Sequence, residues 1–135
     1  MLTFSEIRSY VEQNYDVVFD EKFVLGLELP AGDSERRQGI FLAEIKSPDD
    51  RRFLRLETTV APLADHDPVK VLRVNLMLRI GYLAVGDMEG IPFLKLCHNL
   101  TYRNLDADLL DYYIRHFASL GDGMEETLTH GKDYF

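Results

Sequence analysis

The fold prediction starts from residues 67–100, DPVKVLRVNLMLRIGYLAVGDMEGIPFLKLCHNL, in which a capped apolar helix runs directly into a two-stranded hairpin. Asp67 is placed to cap the helix, and Pro68 suits the first turn, where a missing N–H leaves no donor unpaired. Apolar side chains surround the helix, namely Val69, Val71, Leu72, Val74, Leu76, Met77, Leu78 and Ile80. A helix that is apolar on nearly every side is expected to be covered on most sides.

One amide and one proline refine the prediction for this stretch. Asn75 lies among the apolar residues, where a buried amide needs hydrogen-bond partners. It either bonds neighbouring backbone, which would fix how the helix meets the hairpin, or faces a partner. The hairpin is predicted from strands at 82–86 and 91–100. Pro92 has no N–H, so that end of its strand should lie at an edge or a bulge.

The remaining elements follow from hydrophobic periodicity and turn residues. A helix is predicted from a capping box at Thr3 and Glu6 to about Gln13, then a short extended segment at 17–19 and a turn at 20–22. Strands are expected at 23–29, 39–46 and 53–60, and a last helix at 105–120 that Gly121 and Gly123 should kink or end. The prediction is a single α+β domain over residues 1–135, an antiparallel sheet with helices packed on it in the order α-β-β-β-α-β-β-α, with 130–135 as a frayed tail.

Charge and cysteine content exclude several classes of protein. The chain of 135 residues carries a net charge of −8 and has a pI near 4.9, whereas nucleic acids and anionic lipids attract basic surfaces. An acidic chain suits basic or amphipathic partners. One cysteine excludes an internal disulfide framework. We see neither an export signal nor an apolar run long enough for a membrane span, so the expected location is cytoplasmic.

The sequence offers no convincing catalytic or metal-binding pattern. Asp65, His66 and Asp67 could coordinate a cation weakly, but a polar loop ending in a helix cap explains them more simply. Cys97 and His98 are neighbours in a strand and should therefore point to opposite faces. We predict no catalytic residue, no metal ligand and no cofactor, and hence a protein that is not an enzyme. A small-molecule pocket would be sought around Tyr82, Cys97, His98 and Tyr102.

The order of elements over residues 3–120 resembles the type III secretion chaperone-like superfamily, which includes class I secretion chaperones and YbjN-like proteins. The residues that carry the resemblance are Val74-Asn75-Leu76, Ile80 to Val85, Asp87, Gly90 and Phe93 to Leu96. It implies a small, acidic, cytoplasmic, homodimeric chaperone that holds a partner or effector segment. The first helix is short and the charged loop from Asp33 to Arg37 looks inserted, so a YbjN-like regulatory or adaptor protein stays open.

The surface expected to bind a partner combines the central helix with the sheet. Strands such as 40–43 place apolar residues on both faces, and a face left uncovered would be buried by dimerisation or by a partner. The alternative, that the monomer covers both faces itself, stays open. The residues predicted for partner or dimer binding are Val71, Val74, Asn75, Leu78, Tyr82, Phe93, Ile40 and Leu42.

Overall fold

The computed structural model describes residues 1, 3–31 and 37–130, which form an α+β fold of three α-helices and one six-stranded antiparallel sheet. The helices are α1 (Phe4–Asn14), α2 (Pro68–Val74) and α3 (Ala107–His130). The strands are β1 (Asp16–Glu21), β2 (Val24–Pro30), β3 (Arg37–Lys46), β4 (Arg52–Pro62), β5 (Tyr82–Met88) and β6 (Ile91–Thr101). The α+β class is therefore as predicted. The expectations for the loop at 33–37 and the tail at 130–135 fall mostly outside the described residues.

The strand order, β1-β2-β3-β4-β6-β5, contains one strand more than predicted. The segment 17–19 is part of β1, and the residues predicted as a turn continue it, since Glu21 pairs with Val24. Charged residues are tolerated there because β1 is an edge strand and five of its six side chains are exposed. The order is therefore α-β-β-β-β-α-β-β-α, and β5 reaches the far edge by a crossover that carries α2.

Burial alternates along the strands, which gives the sheet two unlike faces. In β4 the side chains of Leu54, Leu56 and Thr58 are buried, while those between them are half-exposed. We call the buried side the inner face and the other the outer face. The buried residues of α1 and α3, among them Ile7 and Phe117, join the inner-face leucines in one core. The helices therefore cover mainly one face.

The last helix is longer than predicted. It passes through Gly121 and Gly123 without ending and reaches His130. The reason is close packing, because a Cβ at Gly121 would lie 2.8 Å from Thr58 Cγ2 and 3.1 Å from Gln38 Nε2. Thr58 is itself fully buried. The glycine that looked like a helix terminator instead allows α3 to approach β3 and β4.

The central helix is shorter than predicted. Asp67 caps it through a 2.9 Å bond from the Val69 N–H, and Pro68 begins it, as expected. It ends at Val74, and the chain continues as a turn at 75–77 and irregular structure at 78–80 rather than as further helix. Gly81, at φ +89°, then leads the chain into β5. The helical segment was expected to be covered on most sides, but the described part of the chain leaves Leu76 91% exposed.

Candidate functional site

Four large apolar side chains project from α2 and the turn that follows it. Val69, Leu72, Leu76 and Met77 are between 53% and 91% exposed, and we call them the α2 cluster. On the adjoining edge strand, Val85 is 55% exposed. Exposed apolar groups scattered singly are ordinary, whereas a group of them marks an interaction site.

The α2 cluster is one of two apolar faces of the same helix. Val71 and Val74, which point to the other side, are 4% and 1% exposed and belong to the core. Ile40 and Leu42, also predicted to bind a partner, are fully buried on the inner face. These four side chains pack in the core of the chain and are not available to a partner. A partner would instead contact the exposed residues beside them. Helical periodicity predicted both faces but did not distinguish them.

Asn75 connects α2 with β5 through backbone hydrogen bonds. The Leu83 N–H donates to Asn75 Oδ1 at 2.7 Å, and Asn75 Nδ2 donates to the Leu83 carbonyl at 3.4 Å. The amide thus takes the place that a peptide group of a neighbouring strand would have. This confirms the interpretation of Asn75 as an amide bonded to neighbouring backbone. Among the described strands β5 pairs only with β6, so its outer edge beyond Leu83 is open.

The other predicted partner residues are half-exposed. Leu78 packs beside the core, while Tyr82 and Phe93 have their side chains on the outer face. Pro92 follows the prediction for its strand, because it pairs with Asp87 of β5 whereas the pairing of β4 with β6 stops at Phe93. Pro92 therefore lies beyond the end of the β4–β6 pairing, and its missing N–H removes no hydrogen bond between those two strands.

The outer face carries a second apolar surface, which the predicted site residues did not include. Phe19 and Phe41 meet edge to face at 6.2 Å across Gly26, and Val18 beside them is 60% exposed. We call Phe19 and Phe41 the aromatic patch. Phe41 is 38% exposed, so the described chain does not itself cover both faces of the sheet. The signal in the sequence was the apolar run 40–43 in β3.

The centre of the outer face is polar. Arg55 Nε donates to Asn99 Oδ1 at 2.8 Å, and Lys95 lies 3.6 Å from the Glu57 carboxylate. Cys97 is buried among these groups. Burial first, and the Glu57 charge second, raise the pKa of the Cys97 thiol to about 11. The thiol is therefore protonated at neutral pH, unlike a nucleophilic cysteine.

The side chains expected around a small-molecule pocket do not point to a common site; they are Tyr82, Cys97, His98 and Tyr102. Tyr82 and Cys97 pair on the outer face, whereas His98 lies on the inner face and stacks on Tyr113 at 5.3 Å. His98 Nδ1 accepts the Gly81 N–H at 3.1 Å, and burial lowers its pKa. Tyr102 donates its hydroxyl to Glu44 at 3.1 Å. This arrangement joins no nucleophile to a base.

Residues 1, 3–31 and 37–130 contain no group of three or more His, Cys, Asp or Glu side chains placed to hold a metal ion. Asp67, considered for a weak cation site, has its carboxylate engaged in capping α2. In the same part of the chain, no helix is both long and apolar enough to cross a membrane.

Comparisons of the chain with models of protein families, with curated proteins and with solved structures gave no match.

Proposed function

We propose that this chain is a non-enzymatic protein-binding module that acts as a homodimer in the cytoplasm and holds a segment of a partner polypeptide. The α2 cluster is the observation that carries the proposal. Leu72 and Leu76 are highly exposed apolar side chains. Covering them with another protein is favourable, because it removes apolar surface from water. A chain that keeps several of them on one short element gains stability by association.

A second copy of the chain is the proposed cover for the α2 cluster. A stable interface buries roughly 800 Å² on each partner, which is more than the seven residues of α2 can supply. The interface would therefore extend along the open edge of β5, where Val85 is exposed. In a two-fold dimer the same patch serves both subunits, so the edge of β5 could meet its own copy.

The aromatic patch is the proposed site for the partner segment. It lies on the outer face near β1, whereas the α2 cluster lies at the opposite edge of the sheet, so both could be occupied together. The net charge of −8 favours a basic or amphipathic segment. The resemblance to secretion chaperones supports the same choice.

A YbjN-like regulatory or adaptor protein of the same fold is the second candidate. The polar centre of the outer face, with Arg55, Glu57 and Lys95, favours it, because folded partners present polar groups that such a surface can pair. The two candidates differ in the partner: a chaperone holds an extended segment, and an adaptor binds a folded domain.

Capture of partners from the native cell, followed by mass spectrometry, tests the proposed function. We expect the wild-type protein to retain a defined partner and Phe41→Lys to lose it, because a charge would be placed in the aromatic patch. Leu109→Lys is the control, since Leu109 is equally exposed but lies on α3. Equal recovery by Phe41→Lys would contradict the proposal. Binding of an isolated peptide from the partner would distinguish a chaperone from an adaptor.

A further inference from the structure

A cleft of about 320 Å³ lies where the first turns of α1 meet the nearby ends of β2, β3 and β4. Its side chains include Phe4, Arg8, Lys22, Phe23, Glu44 and Arg52. We call it the α1 cleft. It has no part in the proposed dimer or in the aromatic patch, and neither surface depends on it.

The α1 cleft is lined by more cationic than anionic side chains, although the whole chain is acidic. Three cationic side chains and one carboxylate line it, in a chain of net charge −8. The carboxylate belongs to Glu44, whose side chain is only 8% exposed and accepts bonds from Arg52 at 3.0 Å and from the Tyr102 hydroxyl at 3.1 Å. Glu44 is paired with Arg52 and Asp20 is paired with Arg8, so Lys22 is the lining cation that has no ion pair among the described residues.

Arg8 forms a rigid wall of the cleft. Its guanidinium binds the Asp20 carboxylate and the carbonyls of Glu21 and Lys22, each carbonyl at 2.7 Å, and lies 5.4 Å above the Phe4 ring. The Arg8 guanidinium holds the pKa of Asp20 below its usual value. These contacts order the β1–β2 turn against α1, so the cleft is formed before any ligand enters.

Lys22 supplies the available charge. Its ammonium lies 5.2 Å from the centre of the Phe23 ring, and no carboxylate of the described residues forms an ion pair with it. Phe23 is 48% exposed. A cation and an aromatic surface are therefore presented side by side to solvent. A ligand that matches both has an anionic group for Lys22 and an apolar group for the Phe23 ring.

We propose that the α1 cleft binds a small organic acid, a carboxylate attached to an aromatic or aliphatic group. Charge complementarity selects the carboxylate, and the Phe23 ring selects the apolar part. The volume of the cleft lies at the lower end of the range for small-molecule sites, which favours a compact ligand. The proposal goes beyond the protein-binding function and does not depend on it, so disproof of protein binding would leave the ligand site untouched.

Titration of the full chain with phenylacetate, followed by amide chemical shifts, tests the proposal. We expect saturable shifts confined to residues around Phe4, Lys22 and Phe23, and no such shifts with phenethylamine, which carries the opposite charge. Lys22→Gln should weaken phenylacetate binding by up to about fivefold, the upper end of the range for one exposed charge pair. Arg79→Gln also removes one positive charge, from the segment before β5, and should leave the affinity unchanged.

Three results would overturn the proposal: unsaturated shifts over the whole surface, equal binding of phenethylamine, or unchanged affinity in Lys22→Gln. A second variant guards against an ambiguous loss of binding. Phe23→Ala should also weaken phenylacetate binding while the fold is retained, because Phe23 is half-exposed and lies outside the core. If it binds phenylacetate as tightly as the wild type, the aromatic part of the site is wrong.

Discussion

Single residues decide how closely the elements of this fold pack. Gly121 and Gly123 are two residues apart in α3, yet their surroundings differ. A Cβ at Gly121 would meet Thr58 Cγ2 at 2.8 Å, whereas a Cβ at Gly123 would meet nothing within 4 Å. From the sequence alone both look like helix breakers, because glycine has the same low helix propensity at either position. Only a contact in the folded structure distinguishes them.

We therefore expect opposite effects from the same substitution at these two glycines. Gly121→Ala should lower the free energy of unfolding by about 1–2 kcal/mol, because the forced shift of Thr58 outweighs the gain in helix propensity. Gly123→Ala should raise it by up to about 1 kcal/mol, because only the propensity changes. Urea unfolding of both variants measures the difference. Equal effects would show that α3 does not touch β4 at Gly121.

His98 should make stability depend on pH. Its folded-state pKa is lowered from 6.5 by burial, and its Nδ1 must be unprotonated to accept the Gly81 N–H. The unfolded chain therefore takes up the proton first as pH falls. The contribution is fully present above pH 6.5 and is lost as pH falls through and below that value.

Unfolding free energies at several pH values test this for the wild type and for His98→Phe, which keeps a ring against Tyr113. We expect the wild type to lose more stability than the variant between neutral and mildly acidic pH, because the variant lacks the half-buried imidazole whose pKa is lowered in the folded state. Parallel curves for the two proteins would contradict the role assigned to His98.

At the scale of elements, side chains fix how the helices meet the sheet. Tyr10 and Tyr15 both donate to the Asp111 carboxylate at 2.6 Å, which joins α1 to α3. Asn75 joins α2 to β5 in a similar way. The sequence predicted the caps of α1 and α2, since capping is local. It did not predict that α2 ends at Val74, because the next residue, Asn75, bonds through its side chain to Leu83, eight residues beyond Asn75.

Asn75→Ala should loosen the junction of α2 with β5. The Leu83 N–H and carbonyl would both lose their partner, at a cost of about 1–3 kcal/mol. Amide hydrogen exchange should accelerate at Leu83 while the amides of β2 and β3 stay protected. Asn75→Asp is the matched variant, since it can still accept the Leu83 N–H but cannot donate to the carbonyl, and should have an intermediate effect. Unchanged exchange at Leu83 in Asn75→Ala would rule out this role.

For the whole molecule, the α+β class and most strands could be predicted, because alternation and turn residues are local signals. The edge strand β1 was missed, because its charged residues read as a turn and only pairing with β2 makes it a strand. The central helix was among the elements predicted to bind a partner, but none of the four residues of the α2 cluster was among the residues named. The helix from Pro68 was correctly expected to be apolar on several faces, yet the core it would join could not be seen in the sequence.

The molecular mass in solution tests the central claim that a second copy of the chain covers the α2 cluster in a homodimer. Sedimentation or light scattering should give twice the chain mass of 15.6 kDa for the wild type. Leu76→Lys should give the mass of one chain without loss of helix or sheet, because Leu76 is 91% exposed and supports no core contact. Leu109→Lys should remain dimeric. A wild-type protein that stays monomeric, or a Leu76→Lys variant that stays dimeric, would contradict the claim.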